Sequence, residues 1–225
     1  ETLEAKADAF ALIGEAAPAD AIVASTTSTI LSDTLAGLVR EPGRFLNAHW
    51  LNPAYLVPLV EVSPAATTRP ETVERLNRIL EGVGKVPVVC RASPGYIVPR
   101  IQALAMNEAA RLVEEGVATA EDIDRASRYG FGFRFAILGL LEFIDWGGGD
   151  ILYYASRYMA EATGEARFAA PEVVEANMRE GRLGLRTGQG FHDFRDRDLT
   201  AYQQERLAAF VGLLRHFGMA RPPVL

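Results

Sequence analysis

At 225 residues, 49% hydrophobic and 23% charged, the chain has the composition of a globular protein with enough apolar material for a substantial core. The net charge of −6 is mild and spread along the sequence, which argues against a nucleic-acid partner. Apolar stretches such as Ala136 to Leu141 are far too short to cross a bilayer and no secretory signal opens the chain, so no membrane association and a cytoplasmic location are expected.

The sequence begins without methionine, within or just ahead of a helix, E-T-L-E-A-K-A-D-A-F-A-L-I-G. Leu3, Ala7, Phe10, Ala11 and Ile13 give it a partly apolar face, and the segment reads as a piece of something longer. Ala21 to Ala24 reads as a short strand that ends in the polar cluster S-T-T-S-T, and a helix is predicted from Ser32 or Asp33 to Val39. Arg44 to Trp50 and Val57 to Val62 read as strands separated by Asn52-Pro53. Arg69-Pro70-Glu71 starts a helix that runs to about Glu81, and Lys85 to Cys90 is a last strand. Cys90, the single cysteine, closes the apolar run V-P-V-V-C, has no internal disulfide partner, and reads as a buried structural thiol. This alternation predicts an α/β layer with parallel strands, whose ligands bind at the strands' carboxyl ends.

After Ser93-Pro94-Gly95 the pattern becomes helical throughout. Helices are predicted over Ile97 to Glu115, Thr119 to Tyr129, Leu138 to Asp145, Ile151 to Thr163, Pro171 to Glu180 and Thr200 to Phe217. The division is therefore an α/β domain over 1–92 and an all-α domain over 93–225. Metal-binding and phosphate-loop motifs do not occur in these residues, nor does G-x-G-x-x-G; the triplet Gly147-Gly148-Gly149 follows no strand and reads as a flexible connection.

Histidine is the side chain best suited to move a proton near neutral pH, and the chain has three. His216 falls on the last helix and His192 in a segment that reads as loop or strand scaffolding, G-Q-G-F-H-D-F, whereas His49 ends an apolar strand at the expected ligand rim. In the next strand, V-P-L-V-E-V, Glu61 sits between two valines; a buried carboxylate requires a partner, and His49 is twelve residues away across one turn. A glutamate bonded to one ring nitrogen would fix the imidazole's tautomer and raise its basicity. Asn52 and Ser28 lie at the same rim and add hydrogen-bonding groups.

In order and spacing these segments resemble the 3-hydroxyacyl-CoA dehydrogenase family. The family's S-N-T-S-S appears as S-T-T-S-T at residues 25–29, its H-F-F-N-P as H-W-L-N-P at 49–53, and its L-V-E-V at 59–62. Its P-G-F-I-V-N-R appears as P-G-Y-I-V-P-R, and L-G-x-x-T-G-x-G-F falls at 183–191. The resemblance implies a Rossmann-type NAD-binding domain, present in part, followed by an α-helical dimerisation domain. It further implies His49 as the catalytic acid/base held by Glu61, with Ser28 and Asn52 contacting substrate and the nicotinamide side of NAD. Glu1 and Lys6 match positions near the cofactor, and Arg186 stands where the family usually has a lysine that approaches NAD. A homodimer is the family's usual state.

Three departures stand out. The glycine-rich turn and the first strands of the sheet are missing from these residues, Pro99 replaces an asparagine, and G-F-R-F-A-I-L-G-L-L at 132–141 introduces Arg134. The leading expectation is oxidation of a 3-hydroxyacyl-CoA, with the thioester as substrate, in fatty acid metabolism. The runner-up is a related NAD-dependent dehydrogenase of a free hydroxy acid or aldehyde, with Arg134 meeting a substrate carboxylate, as in a 5-formyl-3-hydroxy-2-methylpyridine 4-carboxylate dehydrogenase-like enzyme. A non-catalytic oligomeric homologue is the third.

Overall fold

The computed structural model describes residues 2–28 and 30–220. They fall into two compact units that divide between Glu115 and Gly116.

In the first unit a four-stranded sheet has the order β1 (Val23–Ser25), β2 (Phe45–Trp50), β3 (Leu59–Pro64), β4 (Val86–Val89). The pairs β1–β2 and β3–β4 are parallel, as expected, but the central pair β2–β3 is antiparallel. The eight residues 51–58 that join β2 to β3 are the reason, since a parallel return needs a crossover of a dozen or more. Helix α1 (Leu3–Ala16) precedes the sheet, α2 (Ser32–Ala36) follows β1, and α3 (Pro70–Gly82) joins β3 to β4.

Alternation along the strands divides the core in two. One cluster joins Phe10, Val23, Leu35 and Phe45; the other joins Leu46, Ala48, Val60, Val62 and Leu80. Burying each of these larger side chains is worth about 1.5–3 kcal/mol. Phe10 meets Phe45 edge-on at 5.4 Å, and is the buried residue of α1; Leu3 and Ile13 of the predicted apolar face are exposed. Helix α4 (Val98–Glu114) follows β4 and closes the first unit.

The second unit is helical: α5 (Ala120–Ala126), α6 (Gly132–Leu138), α7 (Leu140–Gly147), α8 (Gly149–Thr163), α9 (Glu172–Arg179) and α10 (Leu199–His216). Thr119 caps α5 by accepting the Asp122 N–H at 3.2 Å. The predicted helix Leu138 to Asp145 is cut by Gly139, at φ 71°, into α6 and α7. Leu185, Phe194 and Tyr202 form a core with Trp146 and Leu199 packed against it. Among the described residues no helix is long and apolar enough to cross a membrane.

Candidate active site

Strand periodicity builds the centre of the site. His49 and Glu61 are direct partners in the β2–β3 register, so both side chains fall on one face of the sheet. That face also carries Phe45, Asn47 and Ser63, whereas the valines flanking Glu61 point into the opposite core. Glu61 is fully buried and His49 is 5% exposed.

His49 Nδ1 lies 2.8 Å from Glu61 Oε2, and the other carboxylate oxygen, Oε1, accepts the backbone N–H groups of Ile97 at 2.9 Å and Val98 at 2.8 Å. A backbone N–H can only donate, so Oε1 is an acceptor, and an ionised carboxyl group would accept on both oxygens. The matching imidazole tautomer carries its proton on Nδ1 and presents Nε2 as the acceptor. Ser28 Oγ lies 3.0 Å from that Nε2. Ser28, His49 and Glu61 thus form a continuous relay from the segment after β1, through β2 and β3, to the start of α4.

The other expected site residues are distributed unevenly. Lys6 reaches from α1 to the end of β1, where Nζ donates to Ser25 Oγ at 3.0 Å. Asn52 is exposed just beyond β2. Arg134 and Arg186 belong to the helical unit. Arg134 is exposed, donates from Nε to the Gly130 carbonyl at 3.3 Å and lies 4.7 Å from the centre of the Phe143 ring. Arg186 forms an ion pair with Asp150 at the start of α8. Glu1 lies outside the described residues.

Two more side chains were not singled out in the sequence: Tyr96, whose ring lies against His49, and Asn47, which is bonded to Tyr96 and Thr27. The signal for Asn47 was its place two residues before His49, on the same face of a strand. His192, by contrast, pairs through Nδ1 with buried Asp145 at 2.8 Å, and Asp145 also accepts the N–H groups of Phe191 and His192. That arrangement secures the glycine-rich segment 183–191.

Comparison with known proteins decides the family. Residues 1–93 match the 3-hydroxyacyl-CoA dehydrogenase NAD-binding domain and residues 95–194 the 3-hydroxyacyl-CoA dehydrogenase C-terminal domain. The chain belongs to the 3-hydroxyacyl-CoA dehydrogenase family. It is 31% identical over 216 residues to the 5-formyl-3-hydroxy-2-methylpyridine 4-carboxylate 5-dehydrogenase of Mesorhizobium japonicum, covering 96% of this chain and 70% of that protein. It is 36% identical to the 3-hydroxyadipyl-CoA dehydrogenase of Escherichia coli, covering 87% of this chain and 41% of that protein. The crystal structure of a 3-hydroxyacyl-CoA dehydrogenase from Archaeoglobus fulgidus superposes with a TM-score of 0.82 at 32% identity, over 98% of this chain and 75% of that one. As a member of this 3-hydroxyacyl-CoA dehydrogenase family, the protein is an NAD-dependent oxidoreductase acting on a small molecule.

Proposed function

We propose that this 3-hydroxyacyl-CoA dehydrogenase family member interconverts a 3-hydroxyacyl-CoA and its 3-ketoacyl-CoA, with His49 as general acid and base. The observation that carries the reading is the relay Ser28–His49–Glu61, closed at 3.0 and 2.8 Å. In the oxidative direction Nε2 of His49 takes the proton of the substrate's 3-hydroxyl. Glu61 keeps Nδ1 protonated and balances the charge of the imidazolium that forms. In the reductive direction His49 returns that proton to the ketone oxygen. Ser28, beside Nε2, would hold the same oxygen through either step.

The donor set around the relay fits NAD: a hydroxyl at Ser28, an amine at Lys6 and an exposed amide at Asn52 match the carboxamide and ribose of its nicotinamide half. NAD, when bound, accepts or supplies the hydride at the substrate carbon. On the resemblance alone, Glu1 and Arg186 are further candidates for contact with the cofactor.

A second reading has its own support. Similarity to the pyridine-carboxylate dehydrogenase extends over 96% of the chain, compared with 87% for the hydroxyadipyl-CoA enzyme. A free acid as substrate, with Arg134 meeting its carboxylate, is therefore the alternative. We further propose a cytoplasmic homodimer, assembled through the helical unit. The deciding experiment is steady-state kinetics with NADH and acetoacetyl-CoA beside free keto acids. Turnover of acetoacetyl-CoA that is lost in His49→Gln supports the thioester reading; turnover of free acids alone sinks it.

A further inference from the structure

The relay depends on the segment that carries Ser28, and a second set of buried polar groups fastens that segment. Asn47 is fully buried, where an amide must find partners for both ends. Its Oδ1 accepts the Thr27 N–H at 3.1 Å, and its Nδ2 donates to the Thr27 carbonyl at 3.1 Å and to the Tyr96 hydroxyl at 2.9 Å. The Tyr96 hydroxyl in turn donates to the Ile30 carbonyl at 3.2 Å, and Ile30 N–H donates to Thr27 Oγ1 at 3.2 Å. Residues on both sides of Ser28 are thereby tied to one asparagine–tyrosine pair.

Tyr96 also touches the proton carrier directly. Its ring lies 5.7 Å from the His49 imidazole, tilted by 31°, and is 5% exposed. It holds this place from a left-handed backbone, φ 44°, immediately after Gly95 at φ 75°. For a residue with a side chain that conformation is unfavourable, so the surrounding bonds must over-determine it. The next two N–H groups, of Ile97 and Val98, are those bound by Glu61.

We propose that Asn47 and Tyr96 are positioning residues for the reaction. They hold Ser28 on Nε2 of His49, and the Tyr96 ring fixes the plane of the imidazole between Ser28 and Glu61. The proposal rests on His49 being the proton carrier. If the pair were packing alone, its loss would lower stability without changing the state of the His49 ring.

The test is nitrogen-15 NMR of the histidine rings in the whole chain, whose three histidines are assigned with His192→Gln and His216→Gln. Ser28→Ala sets the reference for an Nε2 without its hydroxyl partner. In Asn47→Ala the Nε2 resonance of His49 should move most of the way to that reference, and in Tyr96→Phe part of the way. Nδ1 should stay in place, because Glu61 still binds it. NADH-dependent acetoacetyl-CoA reduction should fall about tenfold in Asn47→Ala, with the KM for NADH unchanged within about twofold. Should Asn47→Ala not fold, Tyr96→Phe keeps the ring and its volume and carries the test. Folded variants whose Nε2 signal coincides with wild type would overturn the proposal. Wild-type turnover in His49→Gln would instead overturn the acid/base reading beneath it, a separate result from the ring signals.

Discussion

Glu61 lies directly across the β2–β3 pair from His49 and spends one carboxylate oxygen on the imidazole and the other on the start of α4. The backbone account there closes. Ile97 and Val98 donate to Glu61, Pro99 has no N–H to place, Arg100 donates to the Gly95 carbonyl at 3.0 Å, and Ile101 begins the helical pattern on Ile97 at 3.2 Å. Pro99, which departs from the family's asparagine, therefore suits a first helical turn whose donors are already engaged.

A glutamine at position 61 cannot serve both sides, because its amide has one acceptor oxygen. Glu61→Gln is expected to lower turnover on the order of a hundredfold, the scale of a positioned acid/base group. It should also cost about 1–3 kcal/mol of stability for the buried donor left without an acceptor. NADH affinity should stay near wild type. Equilibrium denaturation and steady-state kinetics read the two effects separately, and full activity in the folded variant would sink the mechanism.

Cys90 reports on the same carboxylate from outside the relay. Burial, and after it the charge of Glu61, raise the thiol above its ordinary range. The thiolate is the reactive form, so a raised thiol has less of it at any given pH. Alkylation of this single cysteine should be slow at neutral pH and accelerate with a midpoint above the usual thiol value of about 8.5. In Glu61→Gln the midpoint should fall but stay above that value, since burial is the larger cause. Iodoacetamide labelling followed by mass spectrometry across a pH series measures it. A midpoint unaltered in Glu61→Gln would contradict the charge coupling.

The dyad was legible in the sequence because period-two alternation leaves Glu61 among valines and His49 after an apolar run, on strands joined by one turn. The register that makes them direct partners was not legible, nor was the antiparallel sense of that pair, which the length of 51–58 could have supplied. The bonds of Asn47 and Tyr96 escaped because they depend on Tyr96 adopting φ 44°, a conformation that no pattern of a non-glycine residue announces. The start of α6 was missed for a different reason. The expected helices stop at Tyr129 and resume at Leu138, whereas the backbone runs on through Gly130 in a π-helical turn, Ser127–Phe131, into α6.

The glycine motif at 183–191 has a steric explanation that predicts stability. A Cβ at Gly190 would lie 1.9 Å from Asp145 Oδ1, and at Gly184, which has φ 99°, 2.2 Å from the Asp145 carbonyl oxygen. Neither neighbour is free to move, because Asp145 is buried and bonded to Phe191 and His192. Gly190→Ala and Gly184→Ala should each destabilise the helical unit by about 3 kcal/mol or more, as overpacking with loss of a buried network does. Gly181→Ala meets no atom within 4 Å at its Cβ and should cost less, from its positive φ alone. Urea titration of the three variants checks the order; equal losses would argue against the clash.

The proposed assembly through the helical unit predicts a sensitive face on α8. Ile151, Tyr154 and Tyr158 recur at helical spacing and are 62%, 60% and 72% exposed in the isolated chain. Charged substitutions in the pair Tyr154→Glu and Tyr158→Glu should convert a dimer to a monomer in sedimentation velocity while leaving the helix content by circular dichroism intact. A double variant that sediments as the wild type would remove α8 from the interface.

The choice of substrate turns on Arg134. Its Nε bond to the Gly130 carbonyl and its contact with the Phe143 ring are modest, the latter worth about 0.5–1 kcal/mol at an exposed site. They leave the guanidinium's two Nη groups available to an anion, and a carboxylate held by both would gain a charge-assisted pair that lysine cannot copy. A CoA thioester has no carboxylate at its reacting end, so the thioester reading expects Arg134→Ala to keep acetoacetyl-CoA kinetics within about threefold of wild type, less than 1 kcal/mol. A free keto or hydroxy acid that uses Arg134 would instead show its KM raised on the order of ten- to a hundredfold, the range of one hydrogen bond to a charged group. Arg134→Lys would fall between the two, keeping the charge and losing the fork. We expect the first pattern, with His49→Gln inactive in the same assay. Weak acetoacetyl-CoA turnover together with a free-acid KM that climbs from arginine through lysine to alanine would reverse the assignment and make the chain a dehydrogenase of a small carboxylate.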